Sequence, residues 1–354
     1  MNKRMLYLMA IDWYWIKQRP QILAEMLSCD YDITVGYYKE IFGTIELRKS
    51  NDELEKSIPI PVLPFRDKSK LIHFVQKGIF HHQIEHLCQY DIIWIGHPLL
   101  YRYIPMSYQG KIVYDCMDNH VALCSDVRIR KVISNVEEVL IRRADLVIAS
   151  SNKLKQGMET KYSKEVILVR NGYIAGRIWS HNIVSTGDNI NVGYFGTIAE
   201  WIDFKILISC LDKISEMKCF FWGPISINNV PQHDRLFFEG VVEHNRLWDV
   251  ARNMDCLIMP FMVNEIVEDV DPVKLYEYIS MGKIIIVPYY KEIERFAPYV
   301  YFYQSEEELV DLLRRLQKRE LKCKYTQLQQ INFLEDNTWN KRYAIIKKYL
   351  SNLT

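Results

Sequence analysis

Short runs rich in β-branched and aromatic residues alternate, along most of this chain, with stretches that are apolar on one helical face only. The runs cover residues 5–11, 33–37, 91–95, 111–114, 146–149, 166–169, 190–195, 219–222, 256–259 and 284–287, and many are bounded by Gly, Pro, Asn or Asp. Between them, residues 130–143 put Val132, Ile133, Val136, Val139 and Leu140 on one face, and residues 245–254 do the same with Leu247, Val250, Ala251 and Met254. Near-continuous apolar strands separated by amphipathic helices predict parallel sheets covered on both faces, an α/β fold. A chain of 354 residues is long for one such sheet, so two doubly wound domains are expected. Residues 171–189 are polar, contain glycine and lack periodicity, which marks them as the linker; residues 339–350 form a separate last helix. Ligands of such sheets sit beyond the carboxyl ends of the strands.

Composition narrows the function. The net charge of +1 gives no reason to expect nucleic acid as a partner, and 49% hydrophobic with 25% charged residues fits a soluble globular protein. The eight cysteines stand singly, without CxxC pairs or zinc-ligand spacing, as buried thiols of a reducing compartment do. The start, MNKRMLYLMAI, runs straight into Asp12 and Trp13 with no small-residue cleavage site, and no stretch reaches the ~20 apolar residues that span a bilayer. A cytoplasmic location is expected, with the inner face of the membrane as a further option.

The most informative segment is Asp271-Pro272-Val273-Lys274-Leu275-Tyr276-Glu277-Tyr278-Ile279-Ser280-Met281-Gly282-Lys283. Asp271 is a good N-cap, Pro272 a good first helical residue and Gly282 a good stop. Lys274 and Glu277, three apart, share a face. A helix amino terminus attracts phosphate, and a carboxylate one turn further in can accept both hydroxyls of a ribose. Taken alone, the pair equally fits an exposed ion pair on a surface helix.

This run closely resembles the donor-binding signature of the GT-B glycosyltransferases, a helix of KxxEYxxxGK type. The resemblance implies two Rossmann-like doubly wound parallel-sheet domains facing a cleft. Residues 1–171 would be the acceptor domain, joined by the C-terminal helix in 338–354, and residues 172–337 the donor domain. It implies that Glu277 binds the donor ribose and that Lys274 lies near the diphosphate. Asp269 stands where family members carry a second glutamate, which contacts the donor sugar. Gly196 and Thr197, in Val192-Gly193-Tyr194-Phe195-Gly196-Thr197, match the family's first donor-domain strand and loop; Gly196 permits close approach to a diphosphate. Family members often place Arg and Lys after that glycine, whereas this chain has Glu200 and Asp203, leaving the charge to Lys274, Arg170 or backbone dipoles. Asp269-Val270-Asp271 spells the DxD metal motif of the other large glycosyltransferase fold but precedes a helix in the second half, so neither metal nor other cofactor is expected.

In the first half, Asp12 to Gln21 resembles the W…RPQ opening of bacterial enzymes that build surface and teichuronic-type polysaccharides. Trp13, Trp15 and Arg19 would then line the acceptor, although the aromatics equally suit packing. Transfer to a hydroxyl needs a base. Tyr114-Asp115-Cys116-Met117-Asp118 looks like the acidic base region of inverting relatives; Asp118 is the first candidate, with Asp115 and His97 as others. The expected activity is hexosyltransferase-like, from a nucleotide sugar, with UDP-sugar the first choice, to a glycan or lipid-linked acceptor. A nucleotide-sugar epimerase or hydrolase, or a non-catalytic nucleotide-sugar-binding partner of a transferase, are the alternatives. A basic amphipathic stretch, residues 66–86, suits either a membrane surface or a helix covering the first sheet.

Overall fold

The computed structural model describes residues 3–41, 56–174, 176, 178, 189–243 and 246–353. The linker read at 171–189 lies largely outside the described residues, as does Asn245; the described part of the helix expected there is Leu247–Ala251. The chain divides into two units, Met1–Arg170 with Arg342–Thr354, and Asn171–Lys341.

The first unit holds β1 (Arg4–Met9), β2 (Asp32–Glu40), β3 (Ser57–Val62), β4 (Ile92–Ile95), β5 (Lys111–Cys116), β6 (Leu146–Ala149) and β7 (Ile167–Leu168). They form one sheet in the order β3-β2-β1-β4-β5-β6-β7, every neighbour parallel. The second holds β8 (Ile190–Phe195), β9 (Met217–Trp222), β10 (Leu236–Gly240), β11 (Cys256–Ile258), β12 (Ile284–Pro288) and β13 (Tyr301–Tyr303). Their order is β10-β9-β8-β11-β12-β13, again all parallel. Parallel neighbours need crossover segments, which accounts for the helices between strands. In each sheet the strand order reverses once, between β1 and β4 and between β8 and β11, and binding groups collect at such reversals.

The strands absent from the sequence reading are β3, β10 and β13, and all three are sheet edges. An edge strand is half-solvated, so its apolar run is short or broken. Pro59 and Pro61 interrupt β3, and a residue without an N–H is tolerated at an edge.

The last helix, Trp339–Ser351, begins in the second unit and ends in the first. Its Tyr343 hydroxyl and Lys347 ammonium both bond the Asp30 carboxylate at 2.7 Å, while Ile346 and Leu350 are buried. Those two donors, Lys347 first, hold the Asp30 carboxyl below its usual range. All eight cysteines are unpaired. Among the described residues no helix is long and apolar enough to cross a membrane.

Candidate active site

In the second unit the helix of the signature segment is Val273–Ser280, and Tyr278 fixes its position. The Tyr278 hydroxyl accepts from the Phe195 N–H at 3.0 Å and donates to the Ile258 carbonyl at 3.3 Å. One buried phenol thus ties the helix to the ends of β8 and β11, at the strand-order reversal. Gly196 follows β8 with φ +136°, and a Cβ there would stand 2.0 Å from Lys274 Cε and 2.7 Å from its Nζ. Gly223, after β9, has φ +146°, and a Cβ there would meet the Gly196 carbonyl oxygen at 2.1 Å. Both positions therefore require glycine for backbone angle, and Gly223 for space as well, since the atom it faces is backbone.

Lys274 occupies the room that Gly196 leaves. Its ammonium lies 5.7 Å from the centroids of the Tyr194 and Phe261 rings. Burial pushes its pKa below the usual lysine range, with the Glu277 carboxylate working in the opposite direction. Among the described residues this ammonium has no hydrogen bond or ion pair. The backbone N–H groups of Val273 and Lys274, in the first turn, also find no acceptor there. Thr197 is half-buried, and its carbonyl accepts from the Tyr194 hydroxyl at 2.9 Å. Glu277 is half-buried one turn into the helix. A shielded cation beside open N–H donors is a seat for an anion. Gly196→Ala should destabilise the protein by about 1–3 kcal/mol through the forbidden backbone angle. Urea unfolding reads this; an unchanged midpoint would contradict the conformation described.

Asp271 does not cap the helix, contrary to expectation; the cap position belongs to Pro272 and has no side-chain bond. The fully buried Asp271 carboxylate instead pairs with Arg295 and accepts from the Tyr276 hydroxyl at 3.2 Å and the Asn171 N–H at 2.8 Å. The Asn171 amide bonds the Asp271 carbonyl at 2.7 Å in return. A buried carboxylate is better neutralised by a guanidinium, where both partners are charged, than by N–H groups alone, which explains the choice. The DxD segment accordingly has one carboxylate committed to Arg295, and among the described residues no group of three or more His, Cys, Asp or Glu could hold a metal ion. Asp269 is buried at the end of the 3₁₀ turn Val267–Asp269. Asp203 accepts from the Ile206 N–H at 3.0 Å and caps the helix Phe204–Lys213, so its charge is used structurally.

In the first unit, groups gather where β1, β4 and β5 end. Arg19 is 3% exposed and makes a bidentate pair with Asp115, with N–O distances of 2.7–3.1 Å, and its Nη1 donates to the Val169 carbonyl at 2.8 Å. Asp115 is 1% exposed. Arg19 was expected to line the acceptor and Asp115 to be a candidate base; the structure places them as a buried pair that holds the start of the helix Arg19–Leu27 to β5. Trp13 is fully buried and packs, whereas Trp15 keeps part of its surface free. Arg170 is half-buried as the last residue before the second unit.

Asp118 differs from Asp115. Its carboxylate is half-buried and, among the described residues, makes no hydrogen bond or ion pair. Burial raises its pKa to about 6, with Arg19 lowering it and Asp115 raising it. That value suits a proton acceptor near neutral pH. His97 Nδ1 accepts from the Leu99 N–H at 3.2 Å, and its ring centroid lies 4.4 Å from that of His120. Burial depresses both imidazoles, His120 to about 4, so both are neutral at pH 7.

The structure thus brings together Gly196, Thr197, Lys274 and Glu277 in one unit, and Asp118, Asp115, Arg19, His97 and His120 in the other. The sequence reading assigned no role to Tyr278, Tyr276 or Arg295, because a hydroxyl or guanidinium whose partner comes from another segment leaves no local signal.

No protein-family model matches the sequence. The chain is 24% identical over 268 residues to TuaH of Bacillus subtilis (strain 168), named as a candidate teichuronic acid biosynthesis glycosyltransferase; the match covers 68% of this chain and 66%, just under two thirds, of that protein. Among solved structures, Anabaena HepE in complex with UDP and glucose matches with TM-score 0.70 and 14% identity, over 99% of this chain and 100% of HepE. TarM matches with TM-score 0.69 and 9% identity over 99% of both chains. WaaB, a lipopolysaccharide outer core galactosyltransferase, matches with TM-score 0.63 and 13% identity over 99% of this chain and 100% of its own. At such identities these likenesses speak for the fold: it is GT-B, as the 271–283 segment implied, with two parallel-sheet α/β units.

Proposed function

We propose that this GT-B protein is a glycosyltransferase that moves the sugar of a UDP-sugar onto a hydroxyl of a glycan or lipid-linked acceptor in surface polysaccharide synthesis, at the inner face of the membrane. The observation that carries the reading is the shielded Lys274 ammonium against Gly196, which has no hydrogen bond or ion pair among the described residues, beside the N–H groups of Val273 and Lys274, which find no acceptor there. A diphosphate supplies the missing charge. Glu277, one turn along, accepts the ribose hydroxyls, and Thr197 offers a hydroxyl to a phosphate oxygen. Asp269 and Arg170 take lesser parts, toward the donor sugar and the phosphate charge. The name of TuaH and the UDP bound to HepE lend support to this choice of donor.

The first unit supplies the base. Asp118, ionised above about pH 6, takes the proton of the acceptor hydroxyl as its oxygen attacks the anomeric carbon and the C–O bond to the nucleotide diphosphate breaks. The leaving diphosphate is stabilised by Lys274 and the helix dipole, so the scheme routes no step through a metal. Asp115 and His97 serve as supports, and Trp15 is the aromatic left to face an acceptor sugar.

Thermal shift tests the reading. A ligand at one hundred times its Kd stabilises by about 2.7 kcal/mol. UDP-sugars should therefore raise Tm more than GDP- or dTDP-sugars, and Glu277→Gln should remove most of the rise. Equal or larger shifts with GDP- or dTDP-sugars would reject the uridine donor, and no shift with any would reject the site.

A further inference from the structure

The sheet of the first unit is parallel throughout, so the loops after β3, β4 and β5 all leave from one edge. Asp118 follows β5, His97 follows β4, and the loop 63–69 after β3 carries Arg66 at that edge. Hydrogen bonds fix this loop at both ends. Gln76, fully buried in the helix Lys70–Gln83, accepts from the Leu63 N–H at 2.8 Å and donates to the Pro61 carbonyl at 2.9 Å. Phe80 of the same helix is also fully buried and stacks on Tyr103, so the helix covers the sheet beside β3. Phe65 has φ 61°, and its carbonyl accepts from the Lys68 and Ser69 N–H groups at 2.9 and 3.0 Å. A bulky residue persists at such an angle only where its surroundings over-determine it.

The Arg66 guanidinium lies over the buried Tyr38 ring, 4.9 Å from its centroid. A guanidinium laid on a ring keeps its in-plane N–H donors for another partner. Among the described residues none of those donors makes a hydrogen bond, and Nε, shielded from water, stands 3.4 Å from Asp67 Oδ2 without bonding geometry. Asp67 accepts from Arg102 at 2.9 Å, so one carboxylate faces two guanidiniums. Lys68 is spent on Asp126 at 2.8 Å. The imidazoles nearby add no charge at pH 7. Burial, then His120 and Arg66, push His97 well below its usual range, and burial, then Arg102, lowers His73. This corner therefore holds a guanidinium in excess, only 22% exposed, which makes it a seat for an anion.

We propose that Arg66 recognises the acceptor, and that the acceptor carries an anionic group, carboxylate or phosphate monoester, which the guanidinium binds through two N–H donors. Acceptor contact was expected of Arg19, which the fold spends on Asp115; Arg66 is the cation left open at the same edge. The proposal rests on the transferase reading, because it names the class of substrate on which Asp118 acts.

Dissociation constants from saturation-transfer NMR test it without turnover. Methyl glucuronide or glucose 6-phosphate should bind wild type at least about tenfold more tightly than methyl glucoside, the usual gain from hydrogen bonds to a charged group. The tighter of the two names the anion. Arg66→Met keeps an apolar stem over Tyr38 and leaves Asp67 its bond to Arg102, so it should fold and bind all three sugars alike. Arg66→Lys should keep only part of the preference, because an ammonium cannot offer a planar fork. Acetate and inorganic phosphate should bind at least about tenfold more weakly than the matching sugars, since they lack the sugar's own contacts. Equal affinity for neutral and anionic sugars, or a preference unaltered in Arg66→Met, would overturn the proposal. So would small anions that bind as tightly as the sugars, which would make Arg66 an adventitious anion site. The rise in Tm with UDP reads the transferase proposal separately: it should be equal in wild type and Arg66→Met, and its absence from wild type would count against the donor site instead.

Discussion

Asp118→Asn is expected to lower kcat by about 10²- to 10⁴-fold, the usual contribution of a positioned general base, with little change in donor binding. Wild-type kcat/KM should fall below about pH 6, where Asp118 takes up a proton, and the asparagine variant should lose that acid limb. Stability should move the other way. The folded-state pKa lies above that of an unfolded chain, so between the two values the folded state holds more protons and stability declines as pH rises. Above about pH 6 the full cost of a shielded carboxylate is present, and asparagine removes it. Asp118→Asn should therefore raise Tm at pH 7.5 while it abolishes most activity, a pairing expected of a functional group and not of a structural one. A variant that keeps wild-type kcat, or one that merely melts earlier, would remove Asp118 from the reaction.

Asp115→Asn should be the most destabilising single change, by about 3–5 kcal/mol, because it strands the buried Arg19 guanidinium. In a unit of this size that corresponds to a drop in Tm of roughly 10 °C or more. The two halves of the pair should not behave alike. A stranded guanidinium cannot shed its charge, so the loss in Asp115→Asn should be nearly independent of pH. Arg19→Met strands a carboxylate, which a proton can neutralise, so its loss should shrink in acid. Denaturant titrations at pH 5 and pH 8 distinguish these patterns. Equal pH dependence in both variants would contradict the buried-pair account.

The alternation of apolar runs and helical faces made two parallel-sheet units legible from sequence, because interior strands are apolar on both sides. Three of the four edge strands were not legible, and two show why: β3 carries Pro59 and Pro61, and β13 is only Tyr301–Tyr303. Of the proposed site, Lys274, Glu277 and Gly196 could be singled out in the sequence because each sits in a local pattern, a helix start or a strand end. Arg19 and Asp271 were misread because their partners are distant in sequence: Asp115 lies 96 residues from Arg19, and Arg295 lies 24 residues from Asp271. A local rule, such as Asp before Pro capping a helix, loses to a buried guanidinium that only the fold supplies. Tyr278 looked like a core aromatic, and its ring is one; the function lies in its hydroxyl.

A structure of the chain crystallised with UDP would test the donor assignment most directly. The account predicts the diphosphate against Gly196, Thr197 and the N–H groups of Val273 and Lys274, with both ribose hydroxyls on the Glu277 carboxylate. Nucleotide density at any other place on the chain, or a Glu277 side chain turned away from the ribose, would contradict it.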